Sequence, residues 1–118
     1  MDQRPPIDYR LLVDNLATAV LLVDAELNIF YLNSSCEALF DISLLRAQGS
    51  PVLNILKAPN DSFNTHEALI NSLENGQAYT RRDATITINF KDVHVDYSVA
   101  RLSTGKSYHP LLLIELNP

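Results

Sequence analysis

Few side chains in this sequence have the chemistry to catalyse a reaction or hold a metal. Imidazole is supplied only by His66, His94 and His109, and thiol only by Cys36. His66 precedes Leu69 and Ile70 by three and four residues, which places it on the apolar stripe of a helix with Leu73. An imidazole there could serve as an axial ligand inside an apolar pocket. A single histidine at helical spacing is more often a boundary side chain bonded to backbone or solvent, so no cofactor is expected. His94 and Asp96 alternate onto one strand face and could pair as a dyad. Spacing places no nucleophile to complete a triad, and both read as exposed strand polars. His109 stands beside Pro110 with no metal-ligand spacing around it, so no metal site is expected. Cys36 lacks the partners that a disulfide or a cysteine-based zinc site needs. Arg81-Arg82-Asp83 reads as a solvated lead-in to a strand, with partner binding as the alternative. No catalytic residue is expected.

The elements that would position these residues follow from periodicity. Tyr9, Leu12, Val13 and Leu16 recur at i, i+3, i+4 and i+7, one stripe of a helix opened by Pro5-Pro6. Thr18 to Val23 and Ile29 to Leu32 are short apolar runs joined by the polar turn Asp24 to Asn28, a strand-turn-strand unit. Asn33 and Ser34 suit an N-cap, and Ser34 with Glu37 has capping-box spacing, so a short helix follows with Cys36, Leu39 and Phe40 on one face. Leu44 to Gly49 fits no single period. Ser50-Pro51 predicts another helix start, stopped by Pro59, before the polar loop Asn60-Asp61-Ser62. Asn64 and Glu67 can cap the next helix, and Gly76 can take the left-handed turn that ends it. The period then becomes two in Ala84 to Ile88 and again in Val93 to Val99, with Asn89 to Asp92 between them. A loop from Ser103 to Pro110 leads to a last strand, Leu111 to Leu116.

This order predicts an α+β fold, a five-stranded antiparallel sheet with short helices inserted between strands 2 and 3 and a helix at the N-terminus. Residues 1–17 form the N-terminal amphipathic helix and 18–118 the core. A chain of 118 residues with 47% hydrophobic and 19% charged residues has the size and composition of one globular domain. The net charge of −5 disfavours nucleic acid and anionic membrane as partners. No apolar run approaches the roughly 20 residues that span a bilayer, and charges interrupt the first stretch where a signal peptide would be unbroken. The expected location is cytoplasmic.

Thr18–Val23 and Leu111–Leu116 are apolar at successive positions, so both faces of the sheet must be covered near them. Inserted helices can cover one face. A four-residue helical stripe is a narrow lid for the other, and a second copy of the chain would complete it. Tyr9, Leu12, Val13 and Leu16 are therefore the expected dimer interface. Burial contributes on the order of 1.5–3 kcal/mol for each such side chain.

The run AVLLVDAELNIFYLNSSCEALFDIS (Ala19–Ser43) resembles the start of a PAS domain: strand, Asp-containing turn, strand ending in Asn, then helix. SLENGQAYTRRDATITI (Ser72–Ile88) and the LLLIEL finish resemble its last helix and its third and fifth strands. Taken in order, these segments are most similar to the N-terminal PAS domains of the NtrB-type nitrogen-regulation sensor histidine kinases. The resemblance implies a sensory or regulatory domain that dimerises and relays a signal to a kinase core. In such kinases a histidine is autophosphorylated and passes its phosphoryl group to the response regulator NtrC, under control of the PII signalling protein. That chemistry needs a phosphoacceptor helix and a nucleotide-binding domain, and the sequence, with only three glycines, contains no phosphate-cradling loop. This chain by itself is therefore expected to be no enzyme. The PAS scaffold also houses small-molecule receptors, the alternative function; the expected interior here is filled by Leu, Ile, Val and Phe with no convergent polar set. Some PAS domains hold haem through a histidine on the helix where His66 lies, and a photosensory subclass forms a flavin adduct at a cysteine in an Asn-Cys-Arg-Phe-Leu context. Cys36 sits instead in Ser35-Cys36-Glu37-Ala38 and reads as a small buried hydrophobe.

Overall fold

A computed structural model describes residues 13–57, 65–102 and 110–118. Five strands form one antiparallel sheet: β1 (Ala19–Val23), β2 (Ile29–Leu32), β3 (Tyr79–Ile88), β4 (Lys91–Leu102) and β5 (Leu111–Asn117). Between β2 and β3 lie the helices α1 (Ser34–Phe40) and α2 (Leu44–Ala47), a single 3-10 turn (Val52–Asn54), and α3 (Thr65–Asn75). The spatial order is β2-β1-β5-β4-β3. The first and last strands are thus neighbours at the centre, with Ala19 opposite Leu116 and Val23 opposite Leu112.

One face of the sheet carries the core. Leu21, Ile29, Leu32, Val95, Val99, Leu112, Ile114 and Leu116 are buried there together with Cys36, Phe40, Ala47, Val52 and Leu69 from the inserted segments. The period-two alternation in β3 and β4 has its expected result, since Ala84, Ile86, Val95, Tyr97 and Val99 point inward while His94 and Asp96 are exposed. Gly76 ends α3 at φ +68°, as its position after the periodic stretch predicts. The β1–β2 turn is built by Asp24, whose carboxylate accepts from the amides of Glu26 and Asn28, both at 2.9 Å.

Several local expectations are corrected. Glu37 does not close a capping box with Ser34; its carboxylate accepts from the Leu44 amide at 2.7 Å and so organises the start of α2. Asn33 is the N-cap of α1. Ser50 caps no helix: its hydroxyl donates to the Ala47 carbonyl, and the following 3-10 turn begins at Pro51 with no side-chain cap. Arg81-Arg82-Asp83 lies within β3 rather than before it, at a bulge between Arg81 and Ala84 where Asp83 takes φ +54°. The β3–β4 turn is shorter than Asn89–Asp92 suggested, because Ile88 pairs with Lys91 and leaves two residues, Asn89 and Phe90, both at positive φ. Pro59, Asn60 to Ser62, Asn64 and His109 lie outside the described residues.

Candidate functional site

The sheet face opposite the core is built by cross-strand register. Tyr31, Leu22, Leu113 and Ala100 stand opposite one another in sequence from β2 through β1 and β5 to β4. Leu102 opposite Leu111 extends this apolar row on one side. Val20 flanks it on the other, before Glu115, Ser98 and Thr80 turn the face polar. Val20, Leu22 and Tyr31 are buried, whereas Leu111, Leu113 and Ala100 are half-buried and Leu102 is exposed. Both faces of the central strands are therefore apolar, as their unbroken hydrophobic runs require.

The chain reaches β1 from Val13 and Asp14, which are helical. Val13 is half-buried and Leu16 is 50% exposed, a large apolar side chain left facing solvent. Tyr9 and Leu12, the other expected interface residues, lie outside the described residues. The segment is held by side chains at the start of α1. Asn33, fully buried, uses its whole amide: Oδ1 accepts from the Val20 and Cys36 amides at 2.9 and 3.0 Å, and Nδ2 donates to the Val13 and Thr18 carbonyls at 2.8 and 2.9 Å. Asp14 accepts from both the hydroxyl and the amide of Ser34, at 2.7 and 2.8 Å. Those two bonds, the hydroxyl's first, hold its carboxyl below the usual aspartate value. Ser35 Oγ donates to the Leu16 carbonyl at 2.8 Å. The sequence marks Asn33 and Ser34 as capping residues. It carries no signal that they also bind a segment 15 to 20 positions upstream, because long-range hydrogen bonds leave no period.

Apolar side chains line the core between sheet and helices. The cavity bordered by Leu56, Thr65, Ile86, Tyr97 and Leu116 has a volume of about 10 Å³, room for about one water. The Tyr79 and Tyr97 rings lie 5.9 Å apart at 42°, and burial chiefly, with Tyr79 beside it, pushes the Tyr97 phenol well above its ordinary pKa. A half-open surface groove of about 320 Å³ lies at the β3–β4 turn, lined by Phe40, Ile55, Lys57, Ile88 and the fully exposed Phe90 among others.

The remaining candidates are dispersed. His66 is exposed in the first turn of α3, not inside an apolar pocket: the buried positions of that helix are Leu69 and Ser72. His94 and Asp96 share an exposed strand face, yet the imidazole pairs with Asp83 at 3.2 Å across the bulge, while Asp96 accepts from the Asp83 amide. Cys36 is buried, and desolvation, with a smaller contribution from Glu37, pushes its thiol up to about 12, the behaviour of an inert packing residue. Among the described residues no group of His, Cys, Asp and Glu could hold a metal, and no helix is long and apolar enough to cross a membrane.

This architecture, a five-stranded antiparallel sheet in the order 2-1-5-4-3 with its helices between strands 2 and 3, recurs in solved structures. The chain is similar to the PAS domain of nitrogen regulation protein NR(II) from Vibrio parahaemolyticus (24% identity, 95% of this chain and 98% of that one, TM-score 0.76). It is also similar to a domain of a sensory box sensor histidine kinase/response regulator from Geobacter sulfurreducens (16% identity, 93% and 90% coverage, TM-score 0.72). An RNA-binding light-oxygen-voltage receptor matches it at 14% identity over 92% of this chain and 31% of that one, with a TM-score of 0.72. Identities at this level carry the fold alone. No curated protein matches the sequence. The family model described as the PAS fold matches residues 7–109, a span that takes in the sheet from β1 through β4 and every inserted helix, and the chain belongs to the PAS family.

Proposed function

We propose that this domain is a sensory or regulatory PAS module of an NtrB-like two-component histidine kinase, acting by dimerisation and by relaying conformational bias to a kinase core. The observation that carries this reading is the apolar row Tyr31–Leu22–Leu113–Ala100 on the sheet face away from the core, partly exposed at Leu113 and Ala100, together with the exposed Leu16. A second copy of the chain supplies the apolar surface that would cover the exposed part, with Tyr9, Leu12, Val13 and Leu16 at the contact. In the whole kinase the partners are its own catalytic core, the NtrC response regulator and the PII signalling protein. Relay is favoured over reception of a small molecule because the core cavity bordered by Leu56, Thr65, Ile86, Tyr97 and Leu116, at about 10 Å³, falls far below the roughly 300–1,000 Å³ of ligand pockets.

Sedimentation and native mass spectrometry of the 118-residue chain test the reading. A dimer of twice the chain mass without adduct is expected, and Leu16→Asp lowers its affinity about tenfold, the worth of roughly 1.4 kcal/mol from half a buried leucine and a desolvated charge. A monomer carrying a discrete extra mass would replace relay by small-molecule reception. A Leu16→Asp chain that is folded and dimerises undiminished would remove Leu16 from the interface.

A further inference from the structure

Five side-chain hydrogen bonds join residues 13–18 to the N-terminal turn of α1, and their arrangement is that of a latch. Three come from α1 or its cap to backbone carbonyls: Asn33 to Val13 and Thr18, and Ser35 to Leu16. The other two run from Ser34 to Asp14. The outer part of this set, made by Asp14, Ser34, Ser35 and Leu16, is exposed or half-exposed and easily broken. The inner part is the fully buried Asn33 amide, whose other two bonds hold the first turn of α1 at Cys36 and the start of β1 at Val20. One amide group thus ties the incoming flank to two elements of the core. If the flank leaves, Asn33 loses both acceptors for its Nδ2, and a buried amide without acceptors draws in water or turns.

We infer that residues 13–18 and the start of α1 form a two-state latch, which opens as a unit and passes the position of the N-terminal flank into β1 and α1 through Asn33. The inference rests on the relay reading and names its moving part. Closed, the flank holds Asn33 in the orientation that caps α1 and anchors Val20. Open, the outer bonds and the Asn33 donors are lost together, while the core built on Leu21, Ile114 and Leu116 is untouched. Residues 14–17 are exposed and the segment is tied to α1 by polar side chains, which places it toward the low-stability end of a fold, where switching elements are drawn from.

Native-state amide exchange by NMR on the 118-residue chain tests this with Asp14→Ala/Ser35→Ala, which removes the exposed bonds and leaves Asn33 in place. The reporting amides are Val20 and Cys36, neither of which bonds to a mutated side chain. The expected result is exchange at least tenfold faster at Val20 and Cys36, with Ile114 unchanged. Unchanged protection at Val20 and Cys36 would overturn the latch, because the flank would then come and go without Asn33 responding. An equal rise at Ile114 would overturn it also, because the opening would be global unfolding. Sedimentation of the same samples separates this from the parent reading. A monomeric wild-type chain refutes dimerisation while leaving the exchange result to decide the latch, and a dimer with unresponsive Val20 and Cys36 refutes the latch alone.

Discussion

Gly76→Ala separates two costs at one position. Gly76 ends α3 at φ +68°, and a β-carbon there would stand 2.5 Å from Nη2 and 2.9 Å from Cζ of Arg101. Holding an alanine in the left-handed region costs roughly 1–2 kcal/mol relative to glycine. The clash is with the end of a flexible side chain, so Arg101 can swing away, but doing so breaks its Nη1 bond to the Leu73 carbonyl at 3.1 Å. That bond places a cation on the orphan carbonyls of the helix C-terminus, worth about 0.5–1 kcal/mol at an exposed site. The sum is about 2 kcal/mol, roughly 8 °C in Tm for a domain of this size. The assay is urea unfolding followed by circular dichroism on wild type, Gly76→Ala, Arg101→Ala and the double variant. In the Arg101→Ala background the glycine replacement retains only its backbone cost, so the cycle yields a coupling of about 0.5–1 kcal/mol. Equal losses in both backgrounds would show that Arg101 does not lie over Gly76. A loss below about 0.5 kcal/mol in wild type would refute the left-handed cap itself.

Two further outcomes follow from backbone strain and burial. Phe90 occupies the second position of a two-residue turn at φ +67° and is fully exposed, so Phe90→Gly relieves strain without uncovering the core and raises stability by about 1 kcal/mol in urea unfolding; destabilisation would mean that the ring is packed. With its thiol pushed up to about 12 and fully buried, Cys36 in the folded chain reacts with an aromatic disulfide reagent at pH 8 only as fast as the chain opens; labelling at the rate of a free thiol would refute its burial.

What the sequence discloses here is periodicity. β2 begins and ends where its apolar run does, β3 and β4 bury the residues that alternation selects, and Gly76 closes α3. The misreadings occur where a short polar side chain has a choice of partner. Glu37 can reach back to its own helix or forward to the next, and the tertiary path of the chain puts the Leu44 amide within reach. His66 is no misreading: it shares a helical stripe with Leu69, and its exposed place in the first turn of α3 is that of a boundary side chain. The bulge that brings Asp83 rather than Asp96 onto His94 shifts the register inside a strand, and alternation alone gives no warning of it. Asn33 is the extreme case. Its cap role is local and legible, while its hold on Val13 and Thr18 exists only once β2 has folded beside β1.

The pairing of Ala19 with Leu116 has a mechanical consequence. The first residue of the sheet and one of its last are neighbours on antiparallel strands. Once the bonds that tie residues 13–18 to α1 have given way, tension applied between the segments before β1 and after β5 therefore falls on that pair before any other of the β1–β5 ladder. The ladder then parts like a zipper, Val20 from Glu115 and Leu21 from Ile114 in turn, instead of resisting in shear with every bond loaded at once. A domain wired this way yields to small forces at its two ends, and a twist or pull on one flank is felt immediately by the other.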